Sequence, residues 1–126
     1  MQPTLVQSVI APDLTIIKKL QPTIFGQAIS QQTATTMTQM MINNVSNGAA
    51  SNARIDSVSV AGKTGTAENG VGEPYSLWFT GFAPANDPQV AIAVVVQNGG
   101  GIGQNGTGNM LAAPIAKKVL EAVLFR

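Results

Sequence analysis

Lys63 is followed by Thr64, Gly65 and Thr66, so one ammonium and two hydroxyls fall within four residues. Gly62 and Gly65 bracket the lysine and its threonine, and small residues let a ligand come close to the backbone. Alternating Ile55, Val58 and Val60 lead into this stretch and read as a strand over 55–67. Backbone N–H groups, two hydroxyls and an ammonium together suit a carboxylate or a developing oxyanion. The plainer alternative is a lysine that ends a strand in solvent. The two threonines around Gly65 argue against it, because a solvated strand end has no need of them.

Composition removes several other chemistries. The 126 residues contain neither histidine nor cysteine, which rules out zinc sites built on those ligands and excludes Cys–His and Ser–His catalysis. No metal site and no cofactor is expected. A formal charge of +1, with 10% charged residues, offers no basic stripe for nucleic acid. The longest apolar run, 90–96, has seven residues, far short of a membrane span. It reads as a buried strand, and no signal peptide is expected at the start.

Two phosphate-binding patterns compete with the carboxylate reading and fail on context. Gly62-Lys63-Thr64 matches the tail of a P-loop, but Ser57 stands where that loop needs its first glycine. Gly101-Ile102-Gly103-Gln104-Asn105-Gly106 matches G-x-G-x-x-G literally. No second parallel strand follows it, so the βαβ context is missing and a flexible strand-to-helix loop is the better reading.

The elements that would position Lys63 follow from patterning. Residues 4–10 predict a short strand and 14–20 a second short segment, on either side of the Ala11-Pro12-Asp13 turn, an opening that resembles a lid or linker. Ser30 caps a predicted helix over 31–47, with Ala34, Met37, Met41 and Val45 as its apolar stripe and Gly48 as its stop. Strands are predicted at 55–67, 76–83 and 89–98, joined closely enough for an antiparallel meander. A glycine-rich loop over 99–108 leads to a last helix over 109–124. Its packing face is read as Met110, Ile115, Val119, Leu120 and Val123, with Pro114 in the first turns and Lys117, Lys118 and Glu121 in water. Trp78, Phe79 and Phe82 are read as sheet packing.

Longer stretches carry a resemblance. The run from Val60 to Glu68, then Trp78-Phe79-Thr80-Gly81-Phe82-Ala83-Pro84, then a hydrophobic strand and Ala112-Ala113-Pro114 opening a helix, resembles a penicillin-binding protein. More narrowly, it is similar to the C-terminal part of a class B transpeptidase domain of the actinobacterial type. The resemblance spans nearly the whole chain and is densest from 58 to 84.

It implies a peptidoglycan D,D-transpeptidase at the extracytoplasmic face of the bacterial membrane. A serine in an S-x-x-K motif attacks a D-alanyl-D-alanine stem peptide, and β-lactams trap the same serine. The family's strand lysine matches Lys63, which would favour the substrate carboxylate and help proton movement. Thr64 and Thr66 match hydroxyls that hold that carboxylate across Gly65. The Thr66 N–H matches half of the oxyanion hole.

The chain departs from the family at the nucleophile. None of the serines at 8, 30, 46, 51, 57, 59 and 76 has lysine three positions later or asparagine two positions later. The S-x-x-K and S-x-N motifs are therefore expected upstream, and residues 1–126 are expected to be the C-terminal portion of a transpeptidase domain, inactive alone. The implied fold is α+β, an antiparallel sheet with a C-terminal helix packed on it, as in the β-lactamase and transpeptidase family. Its other face would meet the missing N-terminal lobe, with helix 31–47 as a contact. The expected partners are that lobe, stem peptides and β-lactams. A serine β-lactamase, a D,D-carboxypeptidase or a non-catalytic β-lactam sensor shares the strand motif.

Overall fold

A computed structural model describes residues 2–126. The chain divides into two compact units, Met1–Gln31 and Gln32–Arg126. The first is a two-stranded antiparallel hairpin, β1 (Ser8–Ile10) with β2 (Ile16–Lys19), and its register shifts between Val9 and Ile10. The strand expected over 4–10 is confined to its last three residues, and the segment over 14–20 supplies the second strand. Leu14 at φ 68° and the Ala11–Thr15 backbone bond close the turn, with Thr15 donating from N and Oγ1 to Asp13. Every strand residue here is exposed, so these side chains make no core.

The second unit holds α1 (Gln31–Asn47, whose first residue precedes the boundary), β3 (Ala61–Ala67), β4 (Ser76–Ala83), β5 (Val90–Val96) and α2 (Gly108–Leu124). The sheet order is β3-β4-β5, antiparallel throughout, which is the expected meander and an α+β fold. Only Val45 of α1 is buried, while Met37 of the expected stripe is exposed. The helix stops before Gly48, whose N–H bonds to the Asn44 carbonyl. The Asn44 amide in turn donates to the Gly62 carbonyl at 2.9 Å, tying the helix end to β3.

The run over 90–96 is not the buried strand expected. β5 is an outer strand whose residues alternate between half-buried and exposed, one face packing on the core and the other left open. Two further expectations need correction. The strand into the lysine does not begin at residue 55. Ile55 and Val58 form one isolated bridge closed by a turn, and the regular strand starts at Ala61. Spacings of three and then two are not a strand alternation. Ile55 and Val60 are buried all the same, reaching the core from an irregular segment.

The packing face of α2 is the second correction, with Leu120 alone of the five expected residues buried. Gly108, Ala112, Ala113, Ala116 and Leu120 are buried, whereas Met110, Ile115, Val119 and Val123 are 42% to 50% exposed. Close approach explains the choice. A Cβ on Gly108 would lie 2.3 Å from the Trp78 carbonyl oxygen and 2.6 Å from that of Gly65. A helix this near the sheet must present small residues and turn its larger ones away. Pro114 is the seventh residue of the helix, so the Met110 carbonyl loses its usual donor.

Candidate functional site: the free edge of β3

Cross-strand partners share a face of the sheet, and neighbours alternate. Thr64 pairs with Phe79 and Thr66 with Leu77, so both hydroxyls lie on the face that carries the buried core. Phe79 joins Val45, Ala112, Ala113 and Ala116 in that core. Lys63 pairs with Thr80 and Gly65 with Trp78, so the ammonium belongs to the opposite face. That face is open: Trp78 and its partner Val95 are each 46% exposed. One strand thus presents its cation on one side and its hydroxyls on the other. Within the sheet β3 is an edge strand, with β4 on one side only. A ligand lying along that edge can meet both groups.

Each expected site residue has a definite place. Lys63 is exposed, and its ammonium donates to the Thr64 carbonyl at 2.5 Å. Thr64 is 9% exposed, and its hydroxyl donates to the Ala49 carbonyl at 3.1 Å. Gly65 is half-buried beneath Trp78, whose Cβ would stand 3.4 Å from an added methyl. Thr66 is exposed, and its Oγ1 accepts from the Gly108 N–H at 3.4 Å.

The two hydroxyls open onto a cavity of about 310 Å³, lined by Ala49, Thr64, Thr66, Thr107, Gly108 and Asn109. It sits at the start of α2, where Thr107 caps the helix by accepting from the Met110 N–H. The positive end of the helix dipole favours a negative group there. A larger hollow, of about 470 Å³, lies among residues 54–60 and the end of α1 and contains none of the four motif residues.

Two neighbours of the motif were not anticipated. Trp78 does not pack a core but stands on the lysine's face; the polar Thr80 two residues on, against buried Leu77 and Phe79, is the signal that marks this side. Asn109 lines the cavity and bonds to Ser51 and Asn52. Those partners are more than fifty residues away, and no local pattern reveals them.

The family described as the penicillin binding protein transpeptidase domain matches residues 1–121. Peptidoglycan D,D-transpeptidase PbpA of Mycolicibacterium smegmatis is 40% identical over 127 residues, covering 98% of this chain and 26% of the relative. Stage V sporulation protein D of Bacillus subtilis is 34% identical over 110 residues, covering 83% of the chain and 17% of the relative. Among solved structures, the ceftriaxone acyl-enzyme complex of penicillin-binding protein A from M. tuberculosis superposes with a TM-score of 0.86 at 39% identity. That superposition covers 97% of this chain and 28% of the other. The chain therefore spans about a quarter of the length of these mycobacterial proteins. A match over nearly all of this chain, the antiparallel sheet under its C-terminal helix and the lysine-threonine-glycine strand at the sheet's edge agree, and the chain belongs to the penicillin-binding protein transpeptidase family, class B, related to mycobacterial PbpA.

Proposed function

We propose that this chain is the C-terminal portion of a peptidoglycan D,D-transpeptidase domain, and that β3 is the strand against which the stem peptide is held. The observation that carries the proposal is the free edge of β3, with Lys63 on one face and the Thr64 and Thr66 hydroxyls on the other. A relative of the same fold whose structure is described as a ceftriaxone acyl-enzyme complex supports it.

In this reading a serine from an upstream lobe attacks the carbonyl carbon between the two terminal D-alanines of a stem peptide. The C–N bond breaks and the terminal D-alanine leaves as an amine, taking a proton. An amine of a neighbouring stem then attacks the acyl-enzyme and releases the serine. A β-lactam ring opens on the same serine and stays attached. Thr64 and Thr66 hold the terminal carboxylate from the cavity side, favoured by the α2 dipole, with the Thr64 hydroxyl turning its one proton from the Ala49 carbonyl to the incoming carboxylate. Lys63 draws that carboxylate electrostatically and assists proton movement near the serines. The Thr66 N–H supplies half of an oxyanion hole.

The upstream lobe carries S-x-x-K and S-x-N, covers the open face at Trp78 and Val95, and connects to a membrane anchor. Among the described residues no helix is long and apolar enough to cross a membrane. The complete protein works at the extracytoplasmic face, on peptidoglycan stem peptides.

Fluorescent penicillin tests this directly. The full-length protein becomes covalently labelled at one upstream serine, and residues 1–126 alone remain unlabelled. Labelling of the isolated chain would overturn the division of labour. Rapid turnover of the β-lactam by the full-length protein would assign a β-lactamase, and peptide hydrolysis without cross-linking a carboxypeptidase. Labelling without any peptide reaction would assign a sensor.

A further inference from the structure

Three segments meet around the hydroxyl cavity: the turn over 49–53, β3, and the first turn of α2. Thr64 donates to the Ala49 carbonyl, and the Gly108 N–H donates to Thr66. Both hydroxyls are thus oriented by backbone groups of the neighbouring segments, and a small drift of either segment would re-aim them. What fixes the two segments to each other is Asn109. Its Oδ1 accepts from the Asn52 N–H at 3.0 Å, its own carbonyl accepts from the Asn52 amide at 2.9 Å, and its Nδ2 donates to the Ser51 hydroxyl at 3.3 Å. Three hydrogen bonds across 57 or 58 residues of sequence make a clamp immediately behind the cavity.

We infer that Asn109 is a positioning residue for carboxylate recognition: clamped to Ser51 and Asn52, it holds Ala49 against Thr64 and Gly108 against Thr66. This rests on the proposed reading of β3 as the carboxylate-holding strand. Gly108 makes the arrangement possible, because a side chain there would push α2 off the backbone of Gly65 and Trp78. Asn109 then removes the remaining freedom, which is movement of the helix start relative to the turn. The Thr66 hydroxyl, whose oxygen accepts from Gly108, keeps its proton for a ligand. The Thr64 hydroxyl is parked on the Ala49 carbonyl at the wall of the cavity, its oxygen already in place, and turns its one proton to the carboxylate when the ligand enters.

The test is made in the full-length protein, with a β-lactam carrying a free carboxylate and the same compound with that carboxylate esterified. Asn109→Ala and Asn52→Ala each remove the clamp, from opposite ends. Each variant is expected to weaken the initial binding of the acid by about five- to tenfold, as small misplacements of positioning groups do, with the limiting acylation rate nearly unchanged. The ester is expected to react with variant and wild type alike. Asn109→Ala combined with Thr64→Val is expected to cost less than the two changes summed, since both act on one contact.

Equal losses for acid and ester would make the clamp a general structural support and overturn the inference. So would unchanged acid kinetics, or failure of both clamp variants to fold. A wild-type protein acylated by neither compound would refute the transpeptidase reading itself. A wild type that does not distinguish acid from ester would refute carboxylate recognition at β3.

Discussion

The two compact units contain similar kinds of residue and use them in opposite ways. In residues 32–126 apolar side chains converge: Val45, Ile55, Val60, Phe79 and Leu120 are buried with five alanines of the turns and α2 among them. In residues 2–31 they do not: Leu5, Leu14, Ile16, Ile17, Ile24 and Phe25 are all exposed, and the unit is held by turn and ladder hydrogen bonds. A lone hairpin of three and four residues is marginal in water. A sheet with a helix across it is not, because burial of apolar area dominates folding free energy. The lesson is that hydrophobic content alone does not make a core. Where the sheet and the small face of α2 come together, a core forms, and where only two strands meet, none does.

The most damaging way to break this contrast is to remove Phe79. Its ring is fully buried and touches the space above Gly62 and Gly81. Phe79→Ala is expected to cost about 3–5 kcal/mol in denaturant unfolding, enough to threaten the whole second unit. Gly108→Ala comes next. The added methyl would collide with the carbonyls of Trp78 and Gly65, which are backbone and cannot step aside. A loss of about 1–3 kcal/mol is expected in the same experiment. By contrast, Ile17→Ala in β2 is expected to fall within about 0.5 kcal/mol of wild type, because that side chain is 67% exposed. A loss comparable to that of Phe79→Ala would show that the hairpin is covered in solution.

The smallest effect sharpens the hairpin side of the comparison. The Thr15 hydroxyl, followed by the Thr15 N–H, bonds to the Asp13 carboxylate and holds its pKa below the ordinary aspartate value. A depressed folded pKa means that the turn is supported above the unfolded aspartate pKa, and that the support fades as pH falls through the folded one. An NMR titration is expected to place Asp13 below an unstructured aspartate, and Thr15→Ala to move it back up. No upward movement on that substitution would remove the Thr15 hydroxyl as the leading cause.

How far the sequence disclosed this molecule differs between elements for physical reasons. The limits of α1 and β4 follow from patterning, because Gly48 stops the one and the glycine- and proline-bearing connections over 68–74 and 84–88 bound the other. The glycine-flanked lysine strand was legible as a strand that gathers one cation and two hydroxyls, since those residues are adjacent in the sequence itself. Three things were not legible. The buried face of α2 is its alanine face with Leu120, because the closeness of helix to sheet admits small side chains along most of the contact, and that closeness is not written in the periodicity of the large ones. The start of β3 was obscured by apolar residues that reach the core from a turn. The Asn109 clamp joins positions far apart in sequence, and no local pattern encodes it.

The central claim is that the edge of β3 recognises an anionic peptide end through Lys63 and its neighbours. The most direct measurement is the second-order rate of acylation of the full-length protein by a carboxylate-bearing β-lactam, in wild type and Lys63→Ala. Lys63 is exposed and makes no core contact, so the substitution is expected to leave the melting temperature within a few degrees. Acylation is expected to fall by about a hundredfold or more, the scale of losing a charged transition-state contact. An unchanged rate in a folded Lys63→Ala protein would contradict the account.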